Sequence, residues 1–221
     1  MQKIRATVLA ALFVTFTTAC GSDGDSKTSV RLNGLVRSPL LNVRHVHIPE
    51  VTVDEERSVF PMRAQADGLL IMYFGYTHCP DICPTSLAAL RRAYSDIGSD
   101  ASRIDTAMVT VDPERDTPEV LTTYLQNFFE DDYHALRTTD TAALKRAEDP
   151  FLATSSVTSG AVSDSHDHVV TDSEPVVTHT GTTYAVNEKG RVVVEWPFGT
   201  EAKAIAHDLE ILLDDTSGKT S

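Results

Sequence analysis

Two cysteines stand four positions apart in the segment YFGYTHCPDICPTSL, Tyr73 to Leu87, and each is followed directly by proline. Thiols this close can close an inert disulfide, exchange electrons with another thiol pair, or ligate a soft metal ion. As a staple the pair is poor, because a loop of five residues, Cys79 to Cys83, removes little chain entropy. The spacing is CxxxC rather than the CxxC of familiar oxidoreductases, and Pro80 stiffens a turn that still lets two sulfurs converge on one small ion. Two thiolates alone leave such an ion under-coordinated. Thiolate donors select Cu(I) over hard cations, and the third donor best suited to join them is histidine.

The elements that must position these side chains follow from periodicity. Gly68 opens the core, and LLIMYFGY is a continuous apolar run rich in β-formers, the pattern of a strand buried on both faces. It feeds straight into the cysteine segment. Pro84 suits the first residue of a helix with Cys83 at its N-cap; Leu87, Leu90, Tyr94 and Ile97 follow at helical spacing, and Gly98 is a natural stop. IDTAMVTV is a second strand ending at Asp112-Pro113, and Thr117-Pro118-Glu119 starts a helix with Leu121, Tyr124, Leu125 and Phe128 on one face. HALRTT is a third strand and DTAALKRAEDPF a short third helix. Residues 153–178, rich in Ser, Thr and Asp, read as a long loop. GTTYAV-NEKG-RVVVEW is a β-hairpin, and Ala202 to Asp215 a final helix. Upstream, residues 30–67 carry short β-prone pieces (RLNGLV, VRHVHI, EVTVDEE) expected as peripheral strands.

This order, β-α-β-α-β-α-β-β-α, predicts an α/β fold with a central mixed sheet flanked by helices, in a thioredoxin-like layout over residues 68–215. The cysteines fall at the carboxyl end of a parallel strand, where α/β folds place their chemistry. They also lie at a helix N-terminus, whose partial positive charge favours thiolate over thiol. In such a core the loop before the hairpin lies beside the cysteine turn. His179, in VVTHTGTTY, is therefore the best third donor among eight histidines. The HxH pair His166/His168 reads as solvated loop and His45/His47 as strand-face residues. His78 reads as an exposed loop residue, with His134 and His207 on strand and helix surfaces. In VDPERDTPE, helix capping accounts for Asp116, Thr117, Pro118 and Glu119. Asp112 has two readings, an outer group orienting His179 or a partner, or the start of a turn before Pro113.

The chain has 221 residues, 41% of them hydrophobic, and a net charge of −13 from 19 basic and 32 acidic residues. That surface repels nucleic acid and anionic headgroups, so membrane attachment needs something other than a basic patch. MQKIRATVLAALFVTFTTAC supplies one: Lys3 and Arg5, an apolar stretch too short to span a bilayer, then small residues before Cys20. The pattern predicts a signal peptide over residues 1–19 and a lipidated Cys20 opening a polar tether to residue 29, with residues 216–221 as a tail. Thr17 stands where such lipidation motifs carry leucine, and an ordinary cleaved signal peptide is the alternative. Either way the site is extracytoplasmic, and spending Cys20 on lipid leaves Cys79 and Cys83 as the folded domain's only pair.

At YFGYTHCPDICPTSL, VTVDPERDTPEVLTTYL and VVTHTGTTYAVNEKGRVV the sequence resembles the SCO/SenC family of copper chaperones. The resemblance covers about Gly68 to Gly199. It implies a thioredoxin fold and one copper per chain, Cu(I) or Cu(II), held by Cys79, Cys83 and His179, with Asp112 at the position of an aspartate linked to the site. It further implies delivery of copper to, or reduction of the thiols of, the dinuclear copper centre of cytochrome c oxidase. The partner is then the copper-receiving oxidase subunit or another cuproprotein. A thiol-disulfide oxidoreductase using Cys79 and Cys83 without metal is the alternative.

Overall fold

Nine strands and four α-helices occur among residues 31–53, 56–130, 132–158 and 175–216, the residues described by a computed structural model. The N-terminal half holds β1 (His47–Val51), β2 (Glu56–Pro61), β3 (Leu69–Gly75), α1 (Ile82–Ile97), β4 (Ile104–Thr110) and α2 (Pro118–Phe129). It is followed by β5 (His134–Leu136), α3 (Thr141–Glu148), β6 (Ser155–Thr158), β7 (Val176–His179), β8 (Thr183–Val186), β9 (Val192–Trp196) and α4 (Ala202–Thr216). The proposed leader, Cys20, the tether, residues 217–221 and the His166/His168 pair lie outside the described residues.

Seven strands form one mixed sheet in the order β2-β1-β5-β4-β3-β8-β9. The pairs β3–β4 and β4–β5 are parallel, as the βα alternation predicts, while β8 and β9 add antiparallel partners beyond β3. Strand β3 is buried at all seven positions because it has neighbours on both sides. Its run LLIMYFG accordingly lacks the polar alternation of a strand with one wet face.

Local signals set the helix ends. Gly98 ends α1 with φ of 62°, a left-handed conformation that costs glycine little. Thr117 caps α2 by accepting a hydrogen bond from the Val120 amide, and Asp140 caps α3 through the amides of Ala142 and Ala143.

The N-terminal segment departs from expectation in two ways. RLNGLV forms no strand; Leu35 makes only an isolated bridge to Glu195. The segment is held instead by the fully buried Asp208 of α4, which accepts from the amides of Asn33 and Gly34 and from Trp196 Nε1. Burial alone would raise the Asp208 pKa, but these donors outweigh it and hold the carboxyl below its ordinary value. β1 and β2, in turn, are a hairpin annexed to the main sheet through β5. Pro61 is tolerated in β2 because that strand is an edge.

His134 ties this annexed edge to the core. Its Nδ1 lies 2.7 Å from Glu50 Oε1 of β1, its Nε2 4.0 Å from Asp105 Oδ1 of β4, and its ring 4.6 Å from that of Phe60 on β2. Burial opposes protonation of the imidazole, but Asp105 and Glu50 outweigh it, so the pKa is raised. A group with a raised folded pKa contributes fully below its unfolded pKa, and that contribution fades as pH rises through the folded value. A His134→Gln variant should therefore lose more stability relative to the wild type at about pH 5.5 than at about pH 8.5. Urea midpoints at matched ionic strength measure this, and equal losses at the two pH values would refute it.

Candidate metal centre

The centre is built where β3 gives way to α1. Gly75 ends the strand, and a Cβ added there would lie 2.6 Å from Tyr73 Cε1 and 3.0 Å from Cys83 Sγ. Only glycine lets the first turn of α1 pack this closely on the strand end. The helix begins two residues earlier than expected: Asp81, not Cys83, is the N-cap, and Cys83 sits inside the first turn. The Asp81 carbonyl accepts the Thr85 amide, closing that turn. Pro84 remains in the first turn, where helical donors lack partners and a missing N–H costs nothing. Asp81 makes no side-chain cap; the Cys83 amide donates instead to Cys79 Sγ, at 3.3 Å.

The third side chain arrives from a distant part of the chain. The segment 153–178, expected as loop, forms at its two ends a separate antiparallel ribbon, β6–β7, and His179 is the last residue of β7, opposite Ser155. Valines and threonines stabilise the ribbon, with Val157 opposite Val177 and Ser156 bonded to Thr178 at 2.7 Å. Such cross-strand pairs suffice to hold a polar ribbon that composition alone marks as loop. His179 Nε2 then lies 3.4 Å from Cys83 Sγ and 4.0 Å from Cys79 Sγ, and the three donor atoms all fall within 4.8 Å of one another. Both cysteines are free thiols.

Electrostatics divides the three. Cys83 is wholly buried, and burial pushes its pKa up to about 12 despite the opposing Tyr76 backbone. Desolvation thus overrides the helix N-terminus expected to favour thiolate. Burial also lowers the pKa of His179, with the Thr180 and Phe74 carbonyls partly countering it. His179 Nδ1 lies 3.2 Å from the Thr180 carbonyl; a carbonyl only accepts, so Nδ1 carries the proton and the Nε2 lone pair faces the sulfurs. The rings of Tyr73 and Tyr76 meet this imidazole edge-on, with centroids at 6.0 and 5.6 Å. Two sulfurs and one oriented imidazole nitrogen form a soft set of donors that fits copper.

Asp112 is buried at the end of β4, but its carboxylate bonds Arg115 Nε at 2.5 Å and not His179. The carboxylate that reaches the cysteine loop is Asp116, assigned from sequence to helix capping. Thr117 does the capping, while the fully buried Asp116 accepts from the Thr77 amide (3.1 Å), Thr77 Oγ1 (2.6 Å) and Thr110 Oγ1 (2.5 Å). The legible signal was surplus: Asp116-Thr117 offers two capping residues where one helix start needs one. Among the remaining described histidines, His45, His47, His78 and His207 are exposed and His134 braces the sheet.

Asp116→Ala would take this acceptor from the half-buried Thr77 amide, from the Thr77 hydroxyl and from the buried Thr110 hydroxyl. The expected cost is about 2–4 kcal/mol in denaturant unfolding, with Asp112→Ala costing less because Arg115 is partly exposed and can be solvated. Equal losses in the two variants would contradict this assignment of roles.

Comparison with known proteins gives the same grouping. The SCO1/SenC family model matches residues 52–214. An SCO2-like protein of Rickettsia prowazekii is 31% identical over 157 residues, 71% of this chain and 72% of that one. Among solved structures, apo Sco1 of Thermus thermophilus superposes with a TM-score of 0.64 at 28% identity, covering 83% of this chain and 98% of its own. Copper-bound ScoI of Bradyrhizobium japonicum, at 24% identity and a TM-score of 0.59 over 75% of this chain and 97% of its own, shares the fold. With its thioredoxin-like mixed sheet and its match over most of its length, the chain belongs to the SCO1/SenC family.

Proposed function

We propose that this protein is an extracytoplasmic copper chaperone. It holds one copper ion as cargo through Cys79, Cys83 and His179 and passes it to the copper-receiving subunit of cytochrome c oxidase or to another cuproprotein. The observation that carries the reading is the convergence of two thiols and one imidazole nitrogen within 4.8 Å, from positions about a hundred residues apart. Nothing in the packing of a thiol-disulfide enzyme requires that imidazole. Copper-bound relatives of the same fold support the choice of metal. Residues 1–19 act as a signal peptide and Cys20 as a lipid anchor. No helix among the described residues is long and apolar enough to cross a membrane.

A second reading, a thiol-disulfide oxidoreductase, is favoured by one observation: both thiols are free, and the Cys83 amide already bonds the Cys79 sulfur. In that role the pair gives up two electrons and two protons to a target disulfide and becomes a disulfide itself. The roles are compatible, since freeing a target's thiols precedes loading them.

Anaerobic titration of Cu(I) against a competing chelator separates the readings. Wild type should bind about one equivalent, Cys79→Ala and Cys83→Ala should lose tight binding, and His179→Ala should weaken it by about tenfold or more, as expected for a lost ligand. Tight binding that survives both cysteine changes would overturn the chaperone reading. Loading should also release a proton from Cys83 at neutral pH, since its thiol is pushed up to about 12 and a ligand must be thiolate. Calorimetry in buffers of differing ionisation enthalpy measures that release, and apparent affinity should rise with pH.

A further inference from the structure

Buried polar atoms normally have partners, so each one without a partner calls for a cause. Among the described residues three buried side-chain polar atoms have none: Tyr73 Oη, Tyr124 Oη and Glu148 Oε1. The two hydroxyls sit around the cysteine pair. Tyr73 is 1% exposed, its ring packs edge-on against His179, and its Cε1 and Cys83 Sγ press on the same space at Gly75. Burial first, then charge on Cys83, raises the pKa of its hydroxyl, and the same hydroxyl favours the charged form of Cys83. Tyr124 senses both cysteines through charge alone. Tyr94 is a contrast, for its buried hydroxyl bonds Thr106 Oγ1 at 2.9 Å.

We propose that Tyr73 is a positioning residue of the metal centre, whose hydroxyl donates a hydrogen bond to the Cys83 sulfur once that sulfur is a metal-bound thiolate. The proposal rests on the copper-binding reading above. A neutral thiol is a weak acceptor, so the hydroxyl stays unpartnered in the metal-free protein. A ligating thiolate keeps much of its negative charge and is a far better acceptor, and a hydrogen bond to a charged group is the stronger kind. The bond is thus made only in the loaded state and favours loading by its full worth.

The test compares Tyr73→Phe with Tyr94→Phe, reading metal-free stability and Cu(I) affinity for each. Tyr73→Phe should leave metal-free stability unchanged or raised, because it removes an unpartnered buried hydroxyl, and should weaken Cu(I) binding by about tenfold or more. Tyr94→Phe should lose stability and keep its Cu(I) affinity. In the unaltered chain, Cu(I) loading should slow exchange of the Tyr73 hydroxyl proton and move its NMR resonance downfield. A Tyr73→Phe protein that binds Cu(I) as tightly as a copper-binding wild type, or a hydroxyl proton unmoved by loading, would overturn the proposal alone. A wild type that takes up no Cu(I) would overturn the chaperone reading with it.

Discussion

The buried carboxylate of Asp116 is the constraint on which the cysteine loop depends. It sits where three pieces of chain meet: the end of β4, the start of α2 and the loop that leaves β3. Its bonds to Thr110 and to the amide and hydroxyl of Thr77 lock the loop two residues before Cys79. A buried carboxylate without donors would be costly, and donors without it equally so. The three strands of chain therefore hold one another in a single arrangement. From that anchor the short path to Cys79, the turn at Asp81 and the placing of Cys83 against Gly75 follow as packing consequences.

Burial, more than the helix dipole, decides the chemistry of the pair. A helix N-terminus lowers a thiol's pKa when the sulfur is partly wet. Cys83 is fully buried, and desolvation wins. The metal-free centre is thus a protonated, quiet thiol beside a neutral imidazole, both disfavouring charge. A soft cation that brings its own positive charge would offset the desolvation that keeps both groups neutral. Tyr73, with a hydroxyl idle beside the neutral thiol, fits the same pattern of a site organised for its loaded state.

His179 enters this centre by a route that the thioredoxin-like core does not need. The core is complete with the seven-stranded sheet and its helices; the β6–β7 ribbon stands apart from that sheet. Its contribution is to bring one imidazole over the cysteine turn, with the Thr180 carbonyl turning Nε2 toward the sulfurs. A redox fold becomes a three-donor site through this addition.

Much of this was legible in the residues. The uniform apolar run Leu69–Gly75, the Thr117-Pro118 helix start, the Gly98 stop and the NEKG hairpin turn are local signals, each set by steric or capping chemistry that neighbours in sequence supply, and they led to the α/β order and the cysteines' position. The sequence by itself also singled out Cys79, Cys83 and His179, because two thiolates would leave a soft ion under-coordinated and the loop before the hairpin lies beside the cysteine turn. What tertiary structure alone decided are the long-range terms. β1 and β2 join the main sheet by pairing with β5, and residues 31–36 are held by Asp208 rather than by strand pairing. Asp116, read from the sequence as helix capping, braces the cysteine loop, because which donors surround a buried carboxylate depends on where β4, α2 and the loop after β3 meet. The Cys83 thiol was likewise settled by depth of burial, a sum over packing from the whole domain that no local window contains.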